Sequence, residues 1–148
     1  MAQTTGQISG KDVTIEVSTD DATYTDISGS SNTVTPGGNE TQTGSGYTFG
    51  EAHPLVSVGP FSPATLALKI WYTEVTSEAC ALIKDWHLNR TLVYIRYRPK
   101  GSTAGNWQFK GSGYFTKPIF PTIGAEAAGP VAVDVDWFGA EIAQSTIT

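Results

Sequence analysis

The chain has two histidines, His53 and His87, and a single thiol, Cys80, so the catalytic sets that could be built from imidazole and thiol are few. Cys80 and His87 stand seven positions apart in a stretch of helical spacing, roughly 10.5 Å along the axis, which is too far for a thiol–imidazole hydrogen bond. Cys80 therefore reads as a small buried hydrophobe and His87 as a partly exposed helix residue. A metal centre would need a second cysteine or a closely spaced histidine pair, and the chain has neither. Asp134 and Asp136 share one strand face, and Asp20 adjoins Asp21; such pairs could hold calcium or act as acid and base, but a solvated face and a turn explain them more simply. Gly37-Gly38 and Gly44-Ser45-Gly46 lack the lysine and the strand-to-helix context of a phosphate loop. No enzymatic activity and no cofactor are expected.

Binding surfaces are the next possibility. Of the four tryptophans, Trp86 and Trp137 fall on apolar faces and read as core, while Trp71 and Trp107 stay open as a platform on which sugar rings could stack. Arg96, Arg98 and Lys100 beside Tyr94 and Tyr97 could meet phosphates and bases, yet a pI near 4.8 opposes a nucleic-acid binder. The charge is sorted along the sequence: residues 1–68 carry net −6, residues 69–117 net +5 and residues 118–148 net −4. Basic Arg96, Arg98 and Lys100 could thus meet acidic segments of another copy and set the register of a homo-oligomer. Chance segregation on a solvated surface is the competing reading.

A single cysteine excludes an internal disulfide framework. Met1 to Gly10 is polar and has no apolar signal core, and no run approaches the ~18 apolar residues that span a bilayer. The expectation is a product made soluble in the cytosol with no membrane partner. Asn39-Glu40-Thr41 and Asn89-Arg90-Thr91 match the glycosylation triplet and, without a secretory signal, read as coincidences.

The elements that must position these residues are mostly strands, and 148 residues suit one domain with a real core. Val13, Ile15 and Val17 alternate with polar residues; Tyr24 to Ile27 and Asn32 to Thr35 are short strand candidates. Thr65 to Thr73 places Leu66, Leu68, Ile70 and Tyr72 on one face. Thr91 to Arg98 and Asn106 to Thr116 form an antiparallel hairpin about the Gly101 to Gly105 turn, and Val131, Val133, Val135 and Trp137 mark a closing strand. Pro118 and Pro121 flank an edge or crossover piece. One helix interrupts this pattern: Ser77 is its candidate N-cap, and Ala79, Ile83, Trp86 and Arg90, widened by Leu82, form a stripe over Ser77 to Arg90. Such a helix must lie across an open face of the β-structure. Gly37 to Gly50 is almost devoid of apolar residues, which reads either as a mobile hairpin tip or as an extended hairpin ordered only against a neighbouring subunit.

The order of these elements resembles the major tail tube proteins of long-tailed, siphovirus-like bacteriophages, a family itself similar to the tube-forming proteins of contractile injection systems. The resemblance rests on the Asp20-Asp21-Ala22-Thr23-Tyr24 turn, the polar loop at Gly37 to Gly50, the strand–helix–strand run Leu66 to Arg98, the stretch Trp107-Gln108-Phe109-Lys110-Gly111-Ser112-Gly113-Tyr114-Phe115 and the strand Val131 to Trp137. It implies a mainly β (α+β) fold: an antiparallel β-sandwich or barrel-like domain over residues 12–139 with one flanking α-helix and a long hairpin loop. Residues 1–11 and 140–148 would be terminal arms. Hexameric rings of this domain would stack into a hollow tube in the virion tail, made in the host cytoplasm, with other tail proteins at its ends. DNA would pass through at ejection without specific binding. The loop residues Gly37, Gly38, Asn39, Glu40, Gly44 and Gly46 would contact the next ring. A conduit for DNA should repel phosphate, so Glu16, Asp134 and Asp136, each opposite an apolar face, are the candidate lumen acids. The alternatives are a carbohydrate-binding module or adhesin with Trp71 and Trp107 in one groove, and, weakest, a small hydrolase.

Overall fold

The computed structural model describes residues 3, 6–125 and 128–148, so the expected N-terminal arm lies partly outside the described residues. Alternation builds the core. On strand β6 (Ala64–Trp71) Leu66, Leu68 and Ile70 are buried, and on β9 (Ala132–Gly139) Val133, Val135 and Trp137 are buried while Asp134 and Asp136 face outward. The two strands pair antiparallel, with Leu68 opposite Val135 and Lys69 opposite Asp134, so one face of the sheet is apolar and the other polar. Strands β1 (Thr14–Ser18), β7 (Val93–Arg98) and β8 (Trp107–Phe115) extend the apolar face with Ile15, Val17, Val93, Ile95 and Phe115.

With β2 (Thr25–Asp26) and β3 (Ser31–Gly38) the order across the sheet is β2-β1-β7-β8-β9-β6-β3, antiparallel throughout. Residues 27–30 alone join edge strand β2 to edge strand β3, which brings the two edges of the sheet close to each other. The Ile27 N–H donates to the Ile15 carbonyl at 2.8 Å, and the Ser31 hydroxyl donates to the Ile27 carbonyl at 2.8 Å. This is the expected mainly β, barrel-like architecture with one helix. Pro36 fits inside β3 because that strand is an edge.

Helix α1 (Ala79–Leu88) closes the apolar side by burying Ala79, Cys80 and Ile83, and Trp86 stacks on Phe115 with ring centroids 6.2 Å apart. Its boundaries differ from the sequence expectation. Glu78, not Ser77, takes the N-cap position: its backbone is extended and its carbonyl accepts from the Leu82 N–H at 3.2 Å, and its side chain makes no capping bond. At the other end Arg90 adopts φ 53, past the helix and off its stripe.

The expected C-terminal arm and the expected long hairpin both contain strands. Ala143–Thr146, inside the expected C-terminal arm, forms β10 against the first half of β8. The Gly37 to Gly50 loop is divided: Gly37 and Gly38 end β3, Asn39 and Glu40 form a joint, and Gly44 and Gly46 belong to β4 (Thr41–Gly46). This strand returns through β5 (Leu55–Phe61), which no sequence expectation covered.

The chain turns from β9 into β10 directly over β8, and Gly113 makes room for the crossing. A Cβ there would sit 2.1 Å from the Phe138 carbonyl oxygen, whereas a Cβ on Gly29 would meet nothing within 4 Å. Gly113→Ala should therefore cost about 1–3 kcal/mol of unfolding free energy, as overpacked sites do, with Gly29→Ala close to neutral. Urea unfolding of the two variants checks this, and equal midpoints would contradict the crossing as a tight constraint.

Candidate assembly surfaces

The β4–β5 hairpin continues the β3–β6 ladder beyond the edge of the domain. At the joint the Ser62 N–H donates to the Glu40 carbonyl at 2.7 Å and the Asn39 N–H to the Pro63 carbonyl at 3.1 Å. Gly38 and Asn39 both have positive φ, 70° and 55°, which bends the ribbon, and a Cβ on Gly38 would lie 2.0 Å from the Pro63 carbonyl oxygen. Only glycine fits there. Beyond the joint every residue of β4 and β5 is exposed. Val56 and Val58 pair with Ser45 and Thr43, and a register shift brings Phe61 opposite Thr41, so the three apolar side chains lie over the threonine and serine row of β4. Val56 is 79% exposed and Phe61 70%, and Tyr47 and Phe49 project from the tip.

The polar face of the main sheet carries most of the charge. Glu16 on β1 stands opposite Arg96 on β7, forms an ion pair with it, and accepts from Arg98 at 3.5 Å. Arg98, itself buried, also donates to Gln108 at 3.2 and 3.3 Å, and the Arg96 guanidinium lies 3.7 Å over the Tyr24 ring. Tyr24 donates to Asp21, which is also paired with Lys110. The Lys110 ammonium, followed by the Tyr24 hydroxyl, holds the Asp21 carboxyl below its usual range, while burial and the bond to Asp21 push the Tyr24 phenol up. Asp20 accepts from the Ala22 and Thr23 N–H groups and the Ser18 hydroxyl, which bring its pKa down to about 2 and lock the turn.

The candidate residues are thus redistributed. Glu16 is not a free acid, because two arginines neutralise it inside the subunit. Arg96 and Arg98 are likewise engaged within one chain, and of the basic trio Lys100 alone is exposed. Asp134 and Asp136 do share the polar face, in a shallow groove with Lys69, Lys117, Thr33 and Thr35. Trp71 and Trp107 are not brought together: they lie on strands separated by β9 and at opposite ends of the sheet, Trp107 62% exposed beside Ile8 and Phe109. Cys80 donates to the Trp71 carbonyl at 3.2 Å and burial raises its pKa, whereas His87 lines a separate hollow with Arg90 and Tyr114. Among the described residues no helix is long and apolar enough to cross a membrane.

No protein-family model matches the sequence, and no curated protein does. Solved structures match over nearly the whole chain. A chain from the tail of an empty GTA particle, refined with C6 symmetry, superposes with a TM-score of 0.68 at 10% identity, covering 95% of this chain and 98% of that one. A chain of the anti-feeding prophage baseplate, six-fold symmetrised, gives 0.74 at 9% identity over 99% of both chains. A chain of the SPP1 tail tube gives 0.66 at 18% identity over 95% of this chain and 80% of that one. The fold is that of a tail tube subunit. The sequence signal for β5 is absent because Gly59 and Pro60 break the alternation, and Tyr24 gives no hint of Arg96 until β1 and β7 are paired.

Removing the acid from the network tests its weight. Glu16→Ala leaves the part-buried Arg96 and the buried Arg98 without their carboxylate, though Arg98 keeps Gln108, and should cost roughly 2–3 kcal/mol, less than the roughly 3–5 of a fully buried pair. Chemical denaturation with and without 1 M salt checks this; a loss under about 0.5 kcal/mol would mark the network as a solvated surface cluster.

Proposed function

We propose that the chain is a structural virion protein that assembles into stacked hexameric rings, forming the hollow tube of a phage-like tail through which DNA passes at ejection. The β4–β5 hairpin is the observation that carries this reading. A two-stranded ribbon is marginal in water by itself, and this one leaves Leu55, Val56, Val58 and Phe61 exposed, with no cover among the described residues. Another chain must supply the cover. The fold shared with chains of six-fold tail assemblies supports the ring and its symmetry. The partners are then further copies of this chain, other tail proteins at the tube ends, and DNA that is not gripped.

On this reading the lumen is lined by part of the polar sheet face, with Asp134 and Asp136 as the acids that keep DNA centred. Glu16 adds little to that field because its charge is already matched. Lys69 opposite Asp134 moderates it and sets a balance between repulsion and friction. The terminal segments and the joint at Asn39 and Glu40 lie toward the next ring, where Asn39 donates to the Ile142 carbonyl at 3.4 Å and ties hairpin to C-terminal segment.

Electron microscopy of the purified protein should show rings or hollow tubes, and a variant with residues 40–62 replaced by a short glycine–serine turn should still melt cooperatively, losing only the strand signal of β4 and β5, and make none. Featureless solitary particles from the intact chain at high concentration would overturn the reading. Asp134→Lys with Asp136→Lys should leave assembly intact and slow DNA ejection at least several-fold in a reconstituted particle. Unchanged ejection kinetics would remove these residues from the lumen.

A further inference from the structure

Helix α1 closes one end of the β-structure, and the other end stays open. At the closed end Trp86 stacks on Phe115, the last residue of β8, and Cys80 donates to the carbonyl of Trp71, the last residue of β6. At the open end β7 turns into β8 and the N-terminal segment enters β1 opposite Arg98. A hollow of about 350 Å³ lies there, lined by Ile8, Pro99, Trp107 and Phe109. Tyr97 stacks on Phe109 with ring centroids 5.0 Å apart and stiffens one wall, yet Trp107 is 62% exposed and Ile8 54%. An aromatic hollow in the mouth of a barrel is a place for an occupant. Among the described residues Lys100 is its only charged lining residue and has no ion-pair partner.

We infer that the mouth is filled by the turn before α1 of a second copy, with Val75 against Trp107 and Ile8, and Glu74 and Glu78 facing Lys100. The inference rests on the tube reading and adds a contact between rings that does not involve the hairpin. The turn is preformed, since the Glu78 N–H donates to the Val75 carbonyl at 3.0 Å, and Val75 is 53% exposed on it. It follows the Trp71 end of β6, at the closed end of the subunit, so it lies opposite the mouth. Charge selects it. Glu74 and Glu78 together carry −2, and the neighbouring Lys84 and Asp85 pair with each other and add nothing to that sum. Beside the mouth, Lys11 and Asp12 offset each other and leave Lys100 as the free charge. Leu88 is also exposed near the closed end, but it follows His87 and precedes Arg90, so it would bring cation to cation. A mouth on one end and a turn on the other make a head-to-tail contact that repeats without closing, as a stack requires.

Charge reversal tests the pairing without touching the core, because Lys100 and Glu74 are both exposed and their variants should melt close to the parent. Lys100→Glu alone and Glu74→Lys alone should each raise the concentration needed for tubes roughly fivefold at low salt, an effect that fades at about 1 M salt. Both changes in one chain should bring that concentration back to within about twofold of the parent, since the pair is restored with its signs exchanged. Trp107→Ala, which empties the mouth of its exposed ring, should raise it about tenfold at any salt and leave single rings behind. Sedimentation and electron microscopy read all four variants. Tubes from Trp107→Ala at the parent's concentration, or no rescue in the doubly reversed chain, would overturn the inference while tubes of the unmodified chain keep the tube reading. Failure of the unmodified chain to make rings or tubes would overturn the tube reading, and the inference with it.

Discussion

One backbone ladder joins the core of this protein to the part that reaches outside it. β3 pairs with β6 across the domain, and the same two chain segments go on as β4 and β5 after a bend at Gly38 and Asn39. Inside the domain β6 is held by β9 and buries Leu66, Leu68 and Ile70, so the root of the ribbon is fixed by the most buried residues of the fold. Beyond the bend the β4–β5 ladder holds the hairpin. Its position is therefore inherited from the core, while its faces are left free. A rigid root with uncovered faces can offer the same surface on every copy at low ordering cost, which is what a repeating assembly requires.

Electrostatics follows a second rule. The chain segregates acids and bases along its length, and strand pairing folds the segments back on each other. Glu16 meets Arg96 and Arg98 because β1 lies beside β7, and Asp21 meets Lys110 by way of Tyr24. Much of the apparent opportunity for contact between copies is consumed within the subunit. What stays outside includes a groove with two aspartates and two lysines and an anionic hairpin.

Side-chain burial and surface exposure assign the aromatic residues differently from their types alone. Trp137 donates from its indole nitrogen to the Val93 carbonyl at 3.3 Å inside the core, Trp86 caps Phe115 under the helix, and Trp107 stays out beside the N-terminal segment. A shared sugar platform does not form, since the two open tryptophans are held on strands that β9 keeps apart.

The sequence by itself determined whatever depends on short-range period: the alternating strands at Leu66 to Ile70 and Val131 to Trp137, the hairpin about Gly101 to Gly105, and the presence of one amphipathic helix. These are legible because burying one face of a strand or helix requires a repeat of 2 or 3.6 residues that the residues themselves display. Tertiary structure decided the rest. β10 has no apolar alternation and is a strand only because β8 offers it a free edge; β5 carries Gly59 and Pro60 and is a strand only because β4 returns alongside. The helix begins after Glu78, whose extended backbone and carbonyl bond from the Leu82 N–H are set by the turn from Val75. The partners of Glu16 lie 80 and 82 residues away. Each of these depends on which strand lies beside which, and pairing between distant segments leaves no mark on the local order of residues.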